Sequence, residues 1–314
     1  MCEFSQIDLD RLCRRPDERL LDAVRNGSPA DVLDCFARMV SLIRDIADLY
    51  SAWSVTIVGW LNERHSLSAA AESIAVHELW PADEVTLLDA EQLALVRSVL
   101  RGTDDAVTRR VARIAEARDE DGLLALWTQV DDACNRAETL RRDTVTAQLT
   151  LVNDRYGPNG LEDCLRHTTE LVWVPRLARD LACRPTERLR NWAEKMAVGH
   201  NGAVRIREHA DRWVFTLDPC GSCGRQILAG RYAPPWNFGV VADGAAVGFE
   251  RPDITVYQAH LAIAHTLVPI ERTGAPWPAI SCSGLSAGPC ELVLYRDPND
   301  TDNRYYAQVG SRRP

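Results

Sequence analysis

The segment Asp218-Pro219-Cys220-Gly221-Ser222-Cys223-Gly224-Arg225 is where residue type and spacing point most directly to chemistry. Two cysteines separated by two small residues can turn both sulfurs toward one cation, because glycine lets the chain bend tightly. A zinc site wants four ligands. Downstream candidates are His260, His265, Cys282 and Cys290. The set Cys220, Cys223, His260 and Cys290 offers three thiolates and one imidazole, which suits the borderline softness of Zn²⁺. Cys282 or His265 could replace one member. Two other readings stay open. A CxxC after a strand is also the arrangement of a redox dithiol. Residues 224–230 give no clear helix start, so no helix N-terminus is expected to favour a thiolate. The third reading is a glycine-rich turn with inert thiols. His260 and His265 are five residues apart, which does not stack on one helical face, so at most one is expected at a shared site.

Polar and aromatic residues flank the cysteine loop. Arg225 and Arg272 could grip an anionic group in a bidentate manner, and Glu271 could move a proton. Arg231, Trp236 and Tyr257 are candidates for contact with a substrate. Each could equally be a surface ion pair or a core aromatic. His77-Glu78 lacks the second histidine of HExxH, and His200 falls in a linker. GxxxxGK[ST], GxGxxG after a strand and GxSxG are all absent, so the usual support for nucleotide hydrolysis, hydride transfer and α/β-hydrolase chemistry is missing.

The stretch 213–222, Trp-Val-Phe-Thr-Leu-Asp-Pro-Cys-Gly-Ser, resembles a poorly characterised group of bacterial proteins built around DPCGSxGR. Such proteins carry a later CAHC-like segment, then a PIE segment, then a cysteine shortly before YxDP. The matching stretches here are Tyr257-Gln258-Ala259-His260-Leu261, Pro269-Ile270-Glu271-Arg272, and Cys290 ahead of Tyr295-Arg296-Asp297-Pro298. The resemblance covers about the last third of the chain, and some relatives are labelled thiazoline-carboxylate-hydrolase-like. Gln258 and Leu261 replace the flanking cysteines of CAHC, and Cys223 stands where glycine is usual. The resemblance therefore implies either a rewired metal site or a decayed one.

The elements that must position these residues fall into two textures. Helical periodicity dominates residues 30–200. Ser28-Pro29 followed by Asp31 signals a helix start, with the pattern running to 50 and on through 52–64. Trp80-Pro81 breaks it. Further helices are expected over 90–101, 104–116 and 122–155, a turn at Tyr156-Gly157-Pro158-Asn159-Gly160, and helices over 161–171 and 185–198. Leu61-Asn62-Glu63-Arg64-His65 is faintly echoed by Val152-Asn153-Asp154-Arg155-Tyr156, as a duplicated helical unit would produce. Beyond Gly199, residues 203–207 and 213–217 alternate as a β-hairpin. Residues 254–267 read as one helix and 291–295 as a last strand. The expected class is α+β: a mainly helical part over 1–200, then a smaller α+β part over 201–314 with a short antiparallel sheet and a Cys-rich loop.

Composition narrows the function. The 314 residues are 46% hydrophobic and 26% charged, a globular balance that rules out wholesale disorder. Net charge is −9 and resides in residues 1–150, which hold 17 bases against 27 acids; residues 151–314 hold 19 against 18. No basic stripe for nucleic acid emerges, and no apolar run is long enough for a membrane span. Met1–Pro16 lacks a secretory signal, so a cytoplasmic protein with reduced thiols is expected. Lysine occurs once, at Lys195; the excess of arginine reads as codon usage. Two functional readings result. One is a bacterial zinc-containing enzyme that hydrolyses, eliminates from or cyclises a small polar metabolite, with specialised metabolism as one setting. The other is a noncatalytic binding or scaffold subunit, pairing with a homologous partner, as in a dimer, or with a carrier protein, its zinc structural.

Overall fold

The computed structural model describes residues 4–80, 88–101, 105–242, 245–286 and 288–314. Cys2, the Pro81 half of the Trp80-Pro81 break and the first residue of the helix read from 104 lie outside the described residues.

Three short or medium helices begin the chain or line its side: α1 (Gln6–Leu12), α2 (Pro16–Asn26) and, later, α4 (Leu67–Ile74). Between α2 and α4 runs α3, Pro29–Arg64. Its start is the one the sequence signals: the Ser28 hydroxyl accepts from the Asp31 amide, the Asp31 carboxylate accepts from the Ser28 amide, and Pro29 fills the first turn. Along α3 the buried residues Phe36, Val40, Ile43, Ala47, Tyr50, Ile57 and Trp60 recur every three, four or seven positions, one stripe of a 3.6-residue period. Burying each large member contributes about 1.5–3 kcal/mol. Helices α5 (Ala90–Arg101) and α6 (Asp105–Ala117) precede α7, Glu120–Val172, which packs along α3. The Asp119 carboxylate caps α7 on the Gly122 amide. The turn expected at 156–160 is instead a kink. Gly157 takes φ +67°, which glycine tolerates, and helix resumes at once with Pro158 in a first-turn position. The two echoed segments end against each other, with His65 stacked on Tyr156 at 3.7 Å.

Helices α8 (Val174–Leu181) and α9 (Pro185–Glu194) follow, and α9 runs into a π-helical turn over Lys195–Gly199. The hairpin then forms as the alternation predicts: β1 (Val204–Glu208) pairs antiparallel with β2 (Arg212–Leu217). After α10 (Cys223–Leu228) come α11 (Ala259–Ala262), a second π-helical turn (Ile263–Leu267), α12 (Val268–Thr273), β3 (Ala279–Ser281), β4 (Cys290–Tyr295) and α13 (Arg304–Ala307). The single helix expected over 254–267 is thus shorter, later and interrupted. The sheet order is β1-β2-β4-β3, antiparallel throughout. The molecule is mainly helical with a smaller α+β region, as expected.

Trp213, Phe215 and Leu217 on one face of β2 join the main core, together with Tyr50, Trp53 and Trp60 of α3, Val145 and Leu149 of α7, and Ile263 of the second π turn. That core crosses residue 200 without a break. A second core, around Leu20, Phe36, Trp127 and Val130, is built from residues 20–198.

Candidate functional site

Strand topology gathers the cysteines. Leu217 ends β2 opposite Cys290, which begins β4. The chain leaving β2 passes at once through Cys220 and Cys223. Cys282 follows β3, whose Ser281 faces Glu291 of β4. Three strand termini at one end of the sheet therefore bring four thiols together, all buried and all free. They form a row. Cys223 lies beside both Cys220 and Cys290, its single thiol proton available to one of them at a time, and Cys282 lies beside Cys290. Ser222 Oγ lies 3.3 Å from Cys220 Sγ and Ser283 Oγ 3.4 Å from Cys290 Sγ. Sulfurs that receive such bonds hold their thiolate form more easily. Cys290 and Cys220 are accordingly held below the ordinary thiol value, chiefly by the bond from Cys223. Cys223 and Cys282, the donors, are pushed up.

A helix does begin at the second cysteine, contrary to the sequence expectation, because α10 opens at Cys223. Its loop is clamped from α7. Arg142, 1% exposed, donates to the Gly221 carbonyl at 3.1 Å and sits 3.7 Å from the Glu138 carboxylate. Asp143 accepts from Gln226 of α10 at 2.8 Å and from Arg231 at 3.0 Å. On its other side the loop touches backbone: a Cβ at Gly221 would come within 1.9 Å of the His200 carbonyl oxygen. Backbone cannot yield as a flexible side chain can. Gly221→Ala is therefore expected to destabilise the protein by about 2–3 kcal/mol, read as a lowered urea midpoint, whereas Gly59→Ala, where a Cβ meets nothing within 4 Å, should not lower it.

Cys220, Cys223 and Cys290 form part of the wall of a cavity of about 370 Å³, within the size range of small-molecule sites. Trp53, Trp173, Trp192, Trp277 and Tyr257 supply its aromatic walls, and His260 and His265 both line it. The expectation that only one histidine could face a shared site fails for a local reason. The π turn over Ile263–Leu267 advances more than four residues per turn, so positions five apart fall on one face. The two rings lie 5.7 Å apart. Each ring has its tautomer fixed. The Tyr257 carbonyl accepts from His260 Nδ1, and the Trp277 carbonyl accepts from His265 Nδ1 at 2.7 Å. A carbonyl can only accept, so Nδ1 carries the proton and Nε2 keeps its lone pair. Burial disfavours the imidazolium and brings His260 down to about 3 and His265 to about 4. Both are neutral bases at neutral pH.

Of the other residues singled out by sequence, Tyr257 lines the cavity and its hydroxyl bonds that of Tyr50 at 2.7 Å. Glu271 and Arg272 do not. They point outward from α12 and pair with Arg166 and Glu170 of α7, half exposed. Arg225 ties Asn135 to the Asn201 carbonyl. Arg231 pairs with Asp143 and stacks on Trp236 at 3.7 Å. None of these three lines the cavity. Of the proposed zinc ligands, Cys220, Cys223 and Cys290 share the row, while His260 is enclosed by the rings of Trp53, Trp173, Tyr257 and His265. Among the described residues, no group of three or more His, Cys, Asp or Glu side chains is spaced to hold one metal ion. Sequence reasoning passed over Trp53, Trp173, Trp192 and Trp277, and the buried Arg142-Asp143 pair, whose only signal was charge on the inward stripe of a long helix. No helix among the described residues is long and apolar enough to cross a membrane.

Comparison with known proteins returned nothing: no family model, curated protein or solved structure matches the chain.

Proposed function

We propose that the chain is an enzyme that takes a small metabolite into the aromatic cavity and catalyses a hydrolysis, elimination or cyclisation, with His260 or His265 as the proton acceptor. One observation carries this reading. Two neutral imidazoles present bare Nε2 atoms in the same enclosure as a thiol row biased toward thiolate at Cys290. A general base needs a lone pair near the proton it abstracts, which an unprotonated Nε2 provides. A thiolate beside it supplies a nucleophile. Turnover should be sought across hydrolysable and cyclisable small molecules. Loss of the base is worth about 10²–10⁴-fold in rate. Of His260→Asn and His265→Asn, the variant lacking the acting base should lose that much while still folding. A rate unchanged in both would end the reading.

A zinc ion would take Cys290 and His260 out of this chemistry and leave His265 as the base. Cys220, Cys223, Cys290 and His260 have the donor chemistry for it, and loading would require the sulfur row to turn toward the imidazole. With all four bound the ion would be structural, since no coordination position stays open. Elemental analysis of protein purified without added metal decides this. About one equivalent of zinc, lost in Cys220→Ser, supports the site, and metal-free folded wild type removes it. The resemblance of the last third to DPCGSxGR proteins is likewise part of the proposal.

A further inference from the structure

The only lysine of the chain stands in the wall of this cavity. Lys195 opens the π turn that follows α9, and its ammonium lies over the Trp192 ring at 4.7 Å. Arg176 and Arg179 of α8 line the same cavity. They are three residues apart, so they share a helix face. Among the described residues none of the three has a carboxylate within 4 Å. Arg176 donates only to the Val172 carbonyl, and Asp45 and Asp48 act on its charge only from beyond ion-pair distance. The acids nearby do not cancel the set. Asp180 is engaged by Arg188 at 3.2 Å and by the indole N–H groups of Trp192 and Trp277. Glu194 is taken by Arg38. Asp45 is the remaining acid among the residues lining the cavity.

Three cations gathered without partners repel one another. Burial chiefly lowers both Lys195 and Arg176; the neighbouring arginine charges add to it, while Asp180 and Asp45 oppose it at Lys195, and Asp45 and Asp48 at Arg176. Ordinary surfaces relieve such a cluster by exposure or by pairing. Here it is arranged inward, from exposed Arg179 through half-buried Arg176 to Lys195. An anion entering the cavity would relieve it, and desolvated charge-assisted bonds would repay the cost of assembling it.

We propose that Lys195, Arg176 and Arg179 form an anion-binding subsite that holds the carboxylate or phosphate of a ligand whose planar body lies among Trp53, Trp173, Trp192 and Trp277. This deepens the enzyme reading, since it names the substrate class for the same cavity. The assignment differs from the sequence expectation, which gave the anion to Arg225 or Arg272.

The lone lysine makes the test specific. Reductive methylation with formaldehyde and cyanoborohydride, read by peptide mass spectrometry, reports Lys195 separately from the chain's amino terminus. Benzoate and phenyl phosphate serve as probes, with benzamide as the neutral shape control. Protection of Lys195 by either anion should exceed that by benzamide at least about tenfold in concentration, the size of one charge-assisted bond. Arg176→Gln/Arg179→Gln should abolish the difference. Comparing benzoate with phenyl phosphate tells which group the subsite prefers. Equal protection by benzamide, protection by none of the three, or anion protection unchanged in the double variant would overturn the subsite. The readout needs no turnover, so it can succeed where the catalytic proposal fails, and the reverse.

Discussion

Arg142→Ala is expected to cost about 3–5 kcal/mol of stability. The guanidinium is buried at 1% exposure, bonded to the Gly221 carbonyl and to Thr139 Oγ1, and 3.7 Å from Glu138. Truncation removes a cation from beside a carboxylate that is itself 5% exposed. Within 4 Å, among the described residues, Glu138 would keep only His200, at 3.8 Å, as a neighbour of potential opposite charge. It also orphans the Gly221 carbonyl and opens a void in the centre of the fold. Each of these is a named route to large losses: an uncompensated charge, an unsatisfied acceptor and a cavity. Equilibrium urea unfolding measures the sum. Arg205→Ala is the control, because Arg205 is 75% exposed and its partner Asp218 lies 3.8 Å away; it should shift stability by less than about 0.5 kcal/mol. If the two variants behave alike, α7 does not pin the cysteine loop.

The second large effect is acid sensitivity set by the two buried imidazoles. An unfolded chain binds protons on histidine near pH 6.5, whereas folding holds His260 to about 3 and His265 to about 4. Below pH 6.5 the unfolded state therefore binds more protons than the folded state. Stability is fully present above pH 6.5 and falls as pH drops through the window from 6.5 toward 3–4. Two pH units inside that window correspond to about 2–3 kcal/mol per histidine. Carboxylates contribute in the same range, so the informative quantity is a difference. Urea midpoints at pH 7 and pH 4.5 should separate more for wild type than for His260→Asn or His265→Asn. Equal separation would mean that the rings are not held neutral by burial.

How far these features could be read beforehand depended on whether they follow from local rules. The start of α3 was legible because Ser28, Pro29 and Asp31 satisfy the helix end by themselves. The hairpin was legible because Trp213, Phe215 and Leu217 alternate with polar neighbours. The approach of Cys290 to Cys220 and Cys223 followed from the ends of β2 and β4 lying side by side. The shared face of His260 and His265 was not legible, because it depends on a π turn and a regular helix of the same sequence would separate them. Glu271 misled for a related reason. Its type suited proton transfer, but its position on α12 turns it to Arg166 and solvent. The mid-chain turn misled because Gly157-Pro158 can also restart a helix. Lys195 was visible as a singular residue, yet nothing local distinguishes a codon preference from a place in a cavity wall.

The proposed chemistry requires that thiols poised toward thiolate share an accessible cavity with the imidazoles. Iodoacetamide modification followed from pH 5 to pH 9 by peptide mass spectrometry addresses it directly. Cys134 and Cys164 are buried outside the cavity, and burial pushes both up, Cys134 to about 12. Cys290 or Cys220 should be alkylated well before these two, with a rate that is half-maximal below the ordinary thiol value, and His260→Trp, which narrows the cavity, should slow it. Alkylation of Cys220 and Cys290 no faster than that of Cys134 and Cys164 would contradict the proposed chemistry.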